Sequence, residues 1–262
     1  MPVSPPASVV LLISRGGTGV EASLGGIESA ILQQAGDHPP QLLRFSLPAG
    51  QGVDAREAMA RVLSDLAMEG HASIGVTGLF VVPGHEYHVM RRTLRAACEA
   101  VPGIQIRISP ALLSTCASLE VVVKALLEGL PTERMPGEAV IFVGHGHRAG
   151  RCDLHYQALA HGLNQVDPDV HLACLGGGLS FTGLKSRLLS QGYRRAFLLP
   201  LMMSTAGHAR RDMAGPDPNS WQSRLEAVGM SCTPVFKGLG EYAGIAAWIA
   251  GQALTIHKDS VS

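Results

Sequence analysis

Little in this chain of 262 residues points to a large or charged partner. Lys plus Arg number 21 and Asp plus Glu number 21, so the formal net charge is zero before histidine protonation. No basic run or basic face breaks that balance, and nucleic acid is therefore not an expected partner. The charged residues, 16% of the chain, read as a dispersed solvated surface. Cysteine is scarce and odd in number: Cys98, Cys116, Cys152, Cys174 and Cys232 include no Cys-x-x-Cys pair. That argues against a disulfide framework and against a cysteine-based zinc site, and predicts reduced thiols. The apolar stretch Val9 to Ile13 is too short for a signal peptide or a membrane span, and no basic segment precedes it. No membrane association and a cytoplasmic address are the expectations. Low-complexity segments are absent, and so are G-x-G-x-x-G and Walker patterns, which leaves a phosphate cradle weakly supported.

What the chain does have comes twice. With 46% hydrophobic residues it can bury one large core or two smaller ones. Short apolar, β-branched runs alternate with amphipathic stretches over almost the whole length, the pattern of βαβ units around parallel sheets. Eight strands are predicted, at Ser8 to Ser14, Leu42 to Phe45, Ser73 to Phe80, Ile104 to Ile108, Glu138 to Val143, Val170 to Cys174, Arg195 to Leu201 and Cys232 to Val235. Helices follow them, for instance over Arg56 to Met68, Tyr87 to Ala100, Leu119 to Leu130 and Tyr242 to Leu254, and the tail from Ile256 reads as frayed.

Val9 to Ser14 breaks into Arg15-Gly16-Gly17-Thr18, and Ala139 to Val143 breaks into Gly144-His145-Gly146-His147. Leu79-Phe80-Val81-Val82-Pro83-Gly84-His85 is answered by Leu201-Met202-Met203-Ser204-Thr205-Ala206-Gly207-His208. This internal likeness predicts an α/β protein of two similar lobes, each a small parallel sheet flanked by helices. The lobes are expected at 1–130 and 137–262, divided where Pro131, Pro136 and Gly137 interrupt the periodicity. A single eight-stranded (β/α) barrel suits the same strand count. If the lobes face each other, His85, His145 and His208 lie at strand ends around one cleft, where open α/β sheets bind ligands.

Residue chemistry narrows the candidates. His145 stands between two glycines directly after an apolar strand, where glycine allows a sharp turn and close ligand approach. A neutral imidazole there can ligate a first-row divalent metal or take up a proton; it can also merely hydrogen-bond the backbone of a glycine-rich turn. His208 precedes Ala209-Arg210-Arg211-Asp212-Met213, near the start of a predicted helix that disfavours protonated imidazole. His85, Glu86, Tyr87 and His88 cluster at the matching point of the first half, where Glu86 is either a site carboxylate or an ordinary first-turn acid. Cys174 reads as a small buried hydrophobe.

Taken together, Val82-Pro83-Gly84-His85-Glu86-Tyr87, Phe142-Val143-Gly144-His145-Gly146, Leu199-Pro200-Leu201-Met202-Met203, Gly207 to Ala214, Ser220-Trp221 and Gly238-Leu239-Gly240-Glu241 resemble the anaerobic sirohydrochlorin cobaltochelatases of the CbiK type. These are class II chelatases related to ferrochelatase, and the likeness covers nearly all of the chain. It implies a lyase-type chelatase of two α/β lobes that inserts Co²⁺ into sirohydrochlorin on the way to cobalamin. His145 and His208 match the metal-binding histidines. No cofactor is implied beyond the substrate metal, with Fe²⁺ and Ni²⁺ as the other candidate metals, and the partners are sirohydrochlorin and a divalent metal.

The family also carries a carboxylate in a Gly-Thr-Val-Glu-Gly-like segment, and here that stretch reads Ala173-Cys174-Leu175-Gly176-Gly177-Gly178-Leu179, with Gly177 at the glutamate position. Glu86, His85 or a water then takes over, and the catalytic set expected is His145, His208 and Glu86. Two alternatives stand beside it. One is a divergent, non-catalytic paralogue that binds a tetrapyrrole or metal; the other is a hydrolase with His145 as phosphoryl acceptor and Arg148 and Arg210 recruited. Nothing in the pattern specifies an oligomeric state.

Overall fold

The computed structural model describes residues 8–15, 19–47, 53–203, 205, 207 and 209–258. Among the described residues, eight parallel strands form two separate sheets. The first holds β1 (Val9–Arg15), β2 (Gln41–Leu47), β3 (Ser73–Gly78) and β4 (Gln105–Ile108) in the order β2-β1-β3-β4. The second holds β5 (Ala139–Gly146), β6 (Val170–Gly176), β7 (Arg195–Leu201) and β8 (Ser231–Pro234) in the order β6-β5-β7-β8. The two orders are the same pattern repeated, as the internal likeness predicts, and two open sheets replace the closed barrel that the strand count also allowed.

The helices are α1 (Glu21–Ala35), α2 (Val53–Met68), α3 (His85–Glu99), α4 (Cys116–Glu128), α5 (Asp153–Val166), α6 (Phe181–Ser190), α7 (Trp221–Glu226) and α8 (Ala243–Lys258). The last extends past the point where the sequence suggested fraying. No helix among the described residues is long and apolar enough to cross a membrane.

The burial patterns explain the central strands. Val9 to Ile13 and Ala139 to Val143 are fully buried, because a parallel strand covered by helices on both faces has no solvent side and reads as a continuous apolar run. β2, at an edge, instead mixes exposed and half-buried residues from Gln41 to Ser46 and buries Leu47. In the first half, Leu11, Ile13, Met59, Leu63, Met90 and Leu94 share one core. In the second, Ile141, Val143, Phe181, Leu184, Trp221 and Leu225 share another, with the Phe181 and Trp221 rings 4.9 Å apart. Ser220, buried, caps α7 by accepting the Ser223 N–H at 3.2 Å, which accounts for the Ser220-Trp221 pair of the sequence.

By contact the chain divides into two compact units: Met1–Gly16, Ile27–Leu112 and Ala247–Ser262 form one, and Gly17–Gly26 with Leu113–Ala246 form the other. Helices α1 and α8 each begin in the second unit and end in the first. Small residues admit these helices. In the second unit a Cβ on Gly26 would overlap the Gly240 carbonyl, and one on Gly240 would overlap Ser23. In the first unit Gly75 of β3 lets the Ile256 side chain approach to 3.5 Å of where its Cβ would stand. The Pro131–Gly137 segment, expected at the lobe boundary, lies inside the second unit. There Arg134 binds Asp167 at 2.5 and 3.1 Å and Asp169 at 3.5 Å, holding the Asp167 carboxyl below its ordinary range through the side-chain hydrogen bond.

Beside this network lies His171, buried on β6 against the Tyr193 ring at 5.5 Å, with no hydrogen-bond partner for Nε2 among the described residues. Burial, and then the Arg187 charge, push its pKa down to about 4. The unfolded chain therefore binds the extra proton first, near pH 6.5. Stability is fully present above that value and falls as the pH drops towards 4, by up to about 3 kcal/mol. Urea unfolding followed at pH 7, 6, 5 and 4 checks this: the slope over that window flattens in His171→Leu. The Asp167 contribution is lost only at more acid pH, below its ordinary 3.8.

Candidate functional site

Strand β5 carries the most distinctive chemistry to its C-terminal end. A Cβ on Gly144 would stand 2.9 Å from Cys174 Sγ and 3.0 Å from the Tyr156 ring, so glycine is needed there for packing. Gly146 has φ +63°, and a Cβ on it would overlap the Gly176 carbonyl of β6. His145 stands between them with an exposed side chain. The sequence placed it just after the strand; the pairing of Gly146 with Gly176 keeps it within β5.

The His145 Nδ1 lies 3.1 Å from the Gly146 carbonyl. A carbonyl only accepts, so this bond requires Nδ1–H, and the neutral tautomer that makes it leaves a lone pair on Nε2 for a metal or a proton. His147 is used differently. Its Nδ1 accepts the Ala149 N–H at 3.1 Å and its carbonyl accepts the Gly150 N–H at 2.8 Å, so it holds the turn.

The turn after β6 packs against this end. Gly177 has φ +98°, and a Cβ there would overlap Asp153 Oδ1. Asp153, the first residue of α5, accepts the Gly178 N–H through Oδ2 at 2.7 Å. Beneath it Cys174 is buried, and burial followed by the Asp153 charge pushes its thiol up to about 12. Cys152 is raised in the same way, and all five cysteines are free thiols. Cys174 is thus the small buried hydrophobe that the sequence suggested.

In the first unit, His85 opens α3 after Gly84, and Glu86 lies in the first helical turn. Its carboxylate is paired with the Arg15 guanidinium at the end of β1, each side chain 41% exposed. Tyr87 is buried, donates to the Ser109 carbonyl at 3.0 Å and is raised above its ordinary pKa by burial, while His88 is exposed. His208 and the Gly16-Gly17-Thr18 segment lie outside the described residues. The stretch following His208, expected as a helix start, is a π-helical turn over Ala209–Met213, in which Arg211 pairs with Asp212 at 2.9 Å and Arg210 lies 4.3 Å over Phe236. Such turns interrupt regular helices and are frequent at functional sites.

The repeated topology relates these positions. Val10 pairs with Gly75 on β3, and Val140 pairs with Phe197 on β7. The residue five on from Val10 is Arg15, and five on from Val140 is His145; eleven on from Gly75 is Glu86, and eleven on from Phe197 is His208. Positions that hold an ion pair in the first half hold the two candidate histidines in the second. Among the described residues, which leave out His208, no three His, Cys, Asp or Glu side chains gather around one cation position. Sequence reasoning passed over Arg15 and Asp153 as site residues.

A family model described as "Cobalt chelatase (CbiK)" matches residues 51–254. The chain belongs to the cobalt chelatase family. It is 35% identical over 188 residues to the sirohydrochlorin cobaltochelatase CbiKC of Nitratidesulfovibrio vulgaris, an alignment covering 72% of this chain and 66% of that protein. It is 28% identical over 198 residues to the sirohydrochlorin cobaltochelatase of Salmonella typhimurium, covering 75% of this chain and 72% of the relative. A solved structure, SirB from Bacillus subtilis with Fe3+, superposes with a TM-score of 0.65 at 13% identity over 98% of both chains, a likeness of fold. The two-lobed chelatase architecture expected from the sequence is therefore the architecture of this cobalt chelatase family member.

Proposed function

We propose that this protein is a sirohydrochlorin cobaltochelatase, inserting Co²⁺ into sirohydrochlorin with release of the two pyrrole protons. The carrying observation is His145: an exposed imidazole fixed between two glycines at the end of a buried strand, its Nδ1 bonded to a carbonyl and its Nε2 left with a lone pair. A chelatase must hold its metal through few protein groups, so that the macrocycle nitrogens can replace them, and must accept protons as the pyrroles ionise. His145 and His208 meet both demands. The ion pair of Arg15 and Glu86 supports their convergence, because it joins the corresponding positions of the first half. Glu86, bound to Arg15, acts as a carboxylate whose charge is already partly balanced, and the role proposed for it is secondary to that of the histidines.

Binding metal and macrocycle together turns an encounter of two species into an oriented one. Hydrolysis with His145 as phosphoryl acceptor is the weaker reading, since Arg210 lies over the Phe236 ring. The reaction needs no nucleotide or redox cofactor, and it fits a cytoplasmic step of anaerobic cobalamin synthesis. Equal concentrations of Co²⁺, Fe²⁺ and Ni²⁺ offered anaerobically with sirohydrochlorin test the reading. The cobalt complex is expected as the main enzyme-dependent product; a pigment shift without metallation would make the protein a carrier.

A further inference from the structure

A divalent cation held by neutral imidazoles alone keeps its full double charge, and release of two protons beside it adds to the burden. An anion near the β5 end relieves both. Several acids of the second unit are paired with arginine: Asp167 and Asp169 with Arg134, Glu138 with Arg195 at 3.1 Å, and Asp212 with Arg211. Asp153 differs from these. Its Oδ2 accepts the Gly178 N–H, and among the described residues its Oδ1 has no donor. That Oδ1 fills the space where a side chain on Gly177 would begin, one residue beyond the Gly146–Gly176 pair that ends the strand of His145. Its charge adds to burial in raising the Cys174 thiol of β6, the strand paired with β5.

We propose that Asp153 supplies the negative charge of the cobalt site, acting from the α5 start into the glycine turn and strengthening cation binding at His145. The proposal rests on the reading of His145 as a metal-binding residue. It makes Asp153 a positioning and charge-balancing residue.

The test is Co²⁺ binding to the purified full chain by equilibrium dialysis, with Asp153→Asn and Asp153→Ala and a thermal melt of each. The asparagine oxygen still accepts the Gly178 N–H, so a purely structural role leaves Asp153→Asn like the wild type and harms only Asp153→Ala. The charge role weakens Co²⁺ binding about tenfold or more in both, with the Asn melt unchanged. Wild-type affinity in Asp153→Asn overturns the proposal, and so does a loss that merely follows a lowered melt. His145→Ala run alongside separates the two ideas: unchanged Co²⁺ binding there sinks the His145 reading, whereas a loss there with Asp153→Asn intact sinks the Asp153 role alone. A wild-type protein that takes up no Co²⁺ overturns both.

Discussion

Replacing His145 by alanine lowers the rate of cobalt insertion by at least about 10²-fold, while stability changes by no more than about 0.5 kcal/mol. The two numbers separate because of where the side chain stands. The imidazole is exposed at the end of β5, outside the buried core, with its Nδ1 3.1 Å from the neighbouring carbonyl. Its loss leaves Ala139 to Val143 buried as before. What disappears is a lone pair held in a fixed direction, and with it the proposed metal ligand and proton acceptor. Insertion kinetics and urea unfolding on the same preparation check the pair of expectations; a variant with full activity removes His145 from the mechanism.

Gly146→Ala is expected to reverse that balance and damage the fold first. Two costs combine at this residue. A φ of +63° strains any side chain by about 1–3 kcal/mol, and the added Cβ overlaps the Gly176 carbonyl, which is backbone in a paired strand and cannot swing aside. Overpacking of that kind costs a further 1–3 kcal/mol or so, for a total of roughly 2–6 kcal/mol. Gly192→Ala is the control, since its φ is +80° but nothing lies within 4 Å of its Cβ position; it carries the strain without the overlap and should lose about 1–2 kcal/mol. Urea midpoints of the two variants measure the difference. Equal losses would mean that the close approach of β5 and β6 is not what demands glycine at 146.

These cases show how the sequence encodes the site. The eight strands were legible because β1, β5 and β7 are built on apolar runs and the edge strands are flanked by turn residues, so Arg195–Leu201 is recovered to the residue. The doubling was legible because Arg15-Gly16 and His145-Gly146 end corresponding strands. What one-dimensional pattern could not carry was through-space placement. Helix α8 is apolar along most of its length, Ala243 to Ile256, and no periodicity says that its two ends join different units.

Asp153 was equally invisible, because an acid in the first turn of a helix is commonplace. Only the closeness of its carboxylate to Gly177 distinguishes it. Gly177 itself was read as an emptied position. The positive φ of the residue and the Asp153 oxygen beside it show that a side chain there is excluded by the fold of this turn.

The measurement closest to the central claim is the initial rate of cobalt–sirohydrochlorin formation, followed by visible absorbance under anaerobic conditions, as enzyme concentration is raised from zero. The account predicts a rate proportional to enzyme for the wild type, many turnovers per chain, and a line near the no-enzyme control for both His145→Ala and His208→Ala. A wild-type line that coincides with the control, or pigment bound without a metallated product at every enzyme concentration, would contradict it.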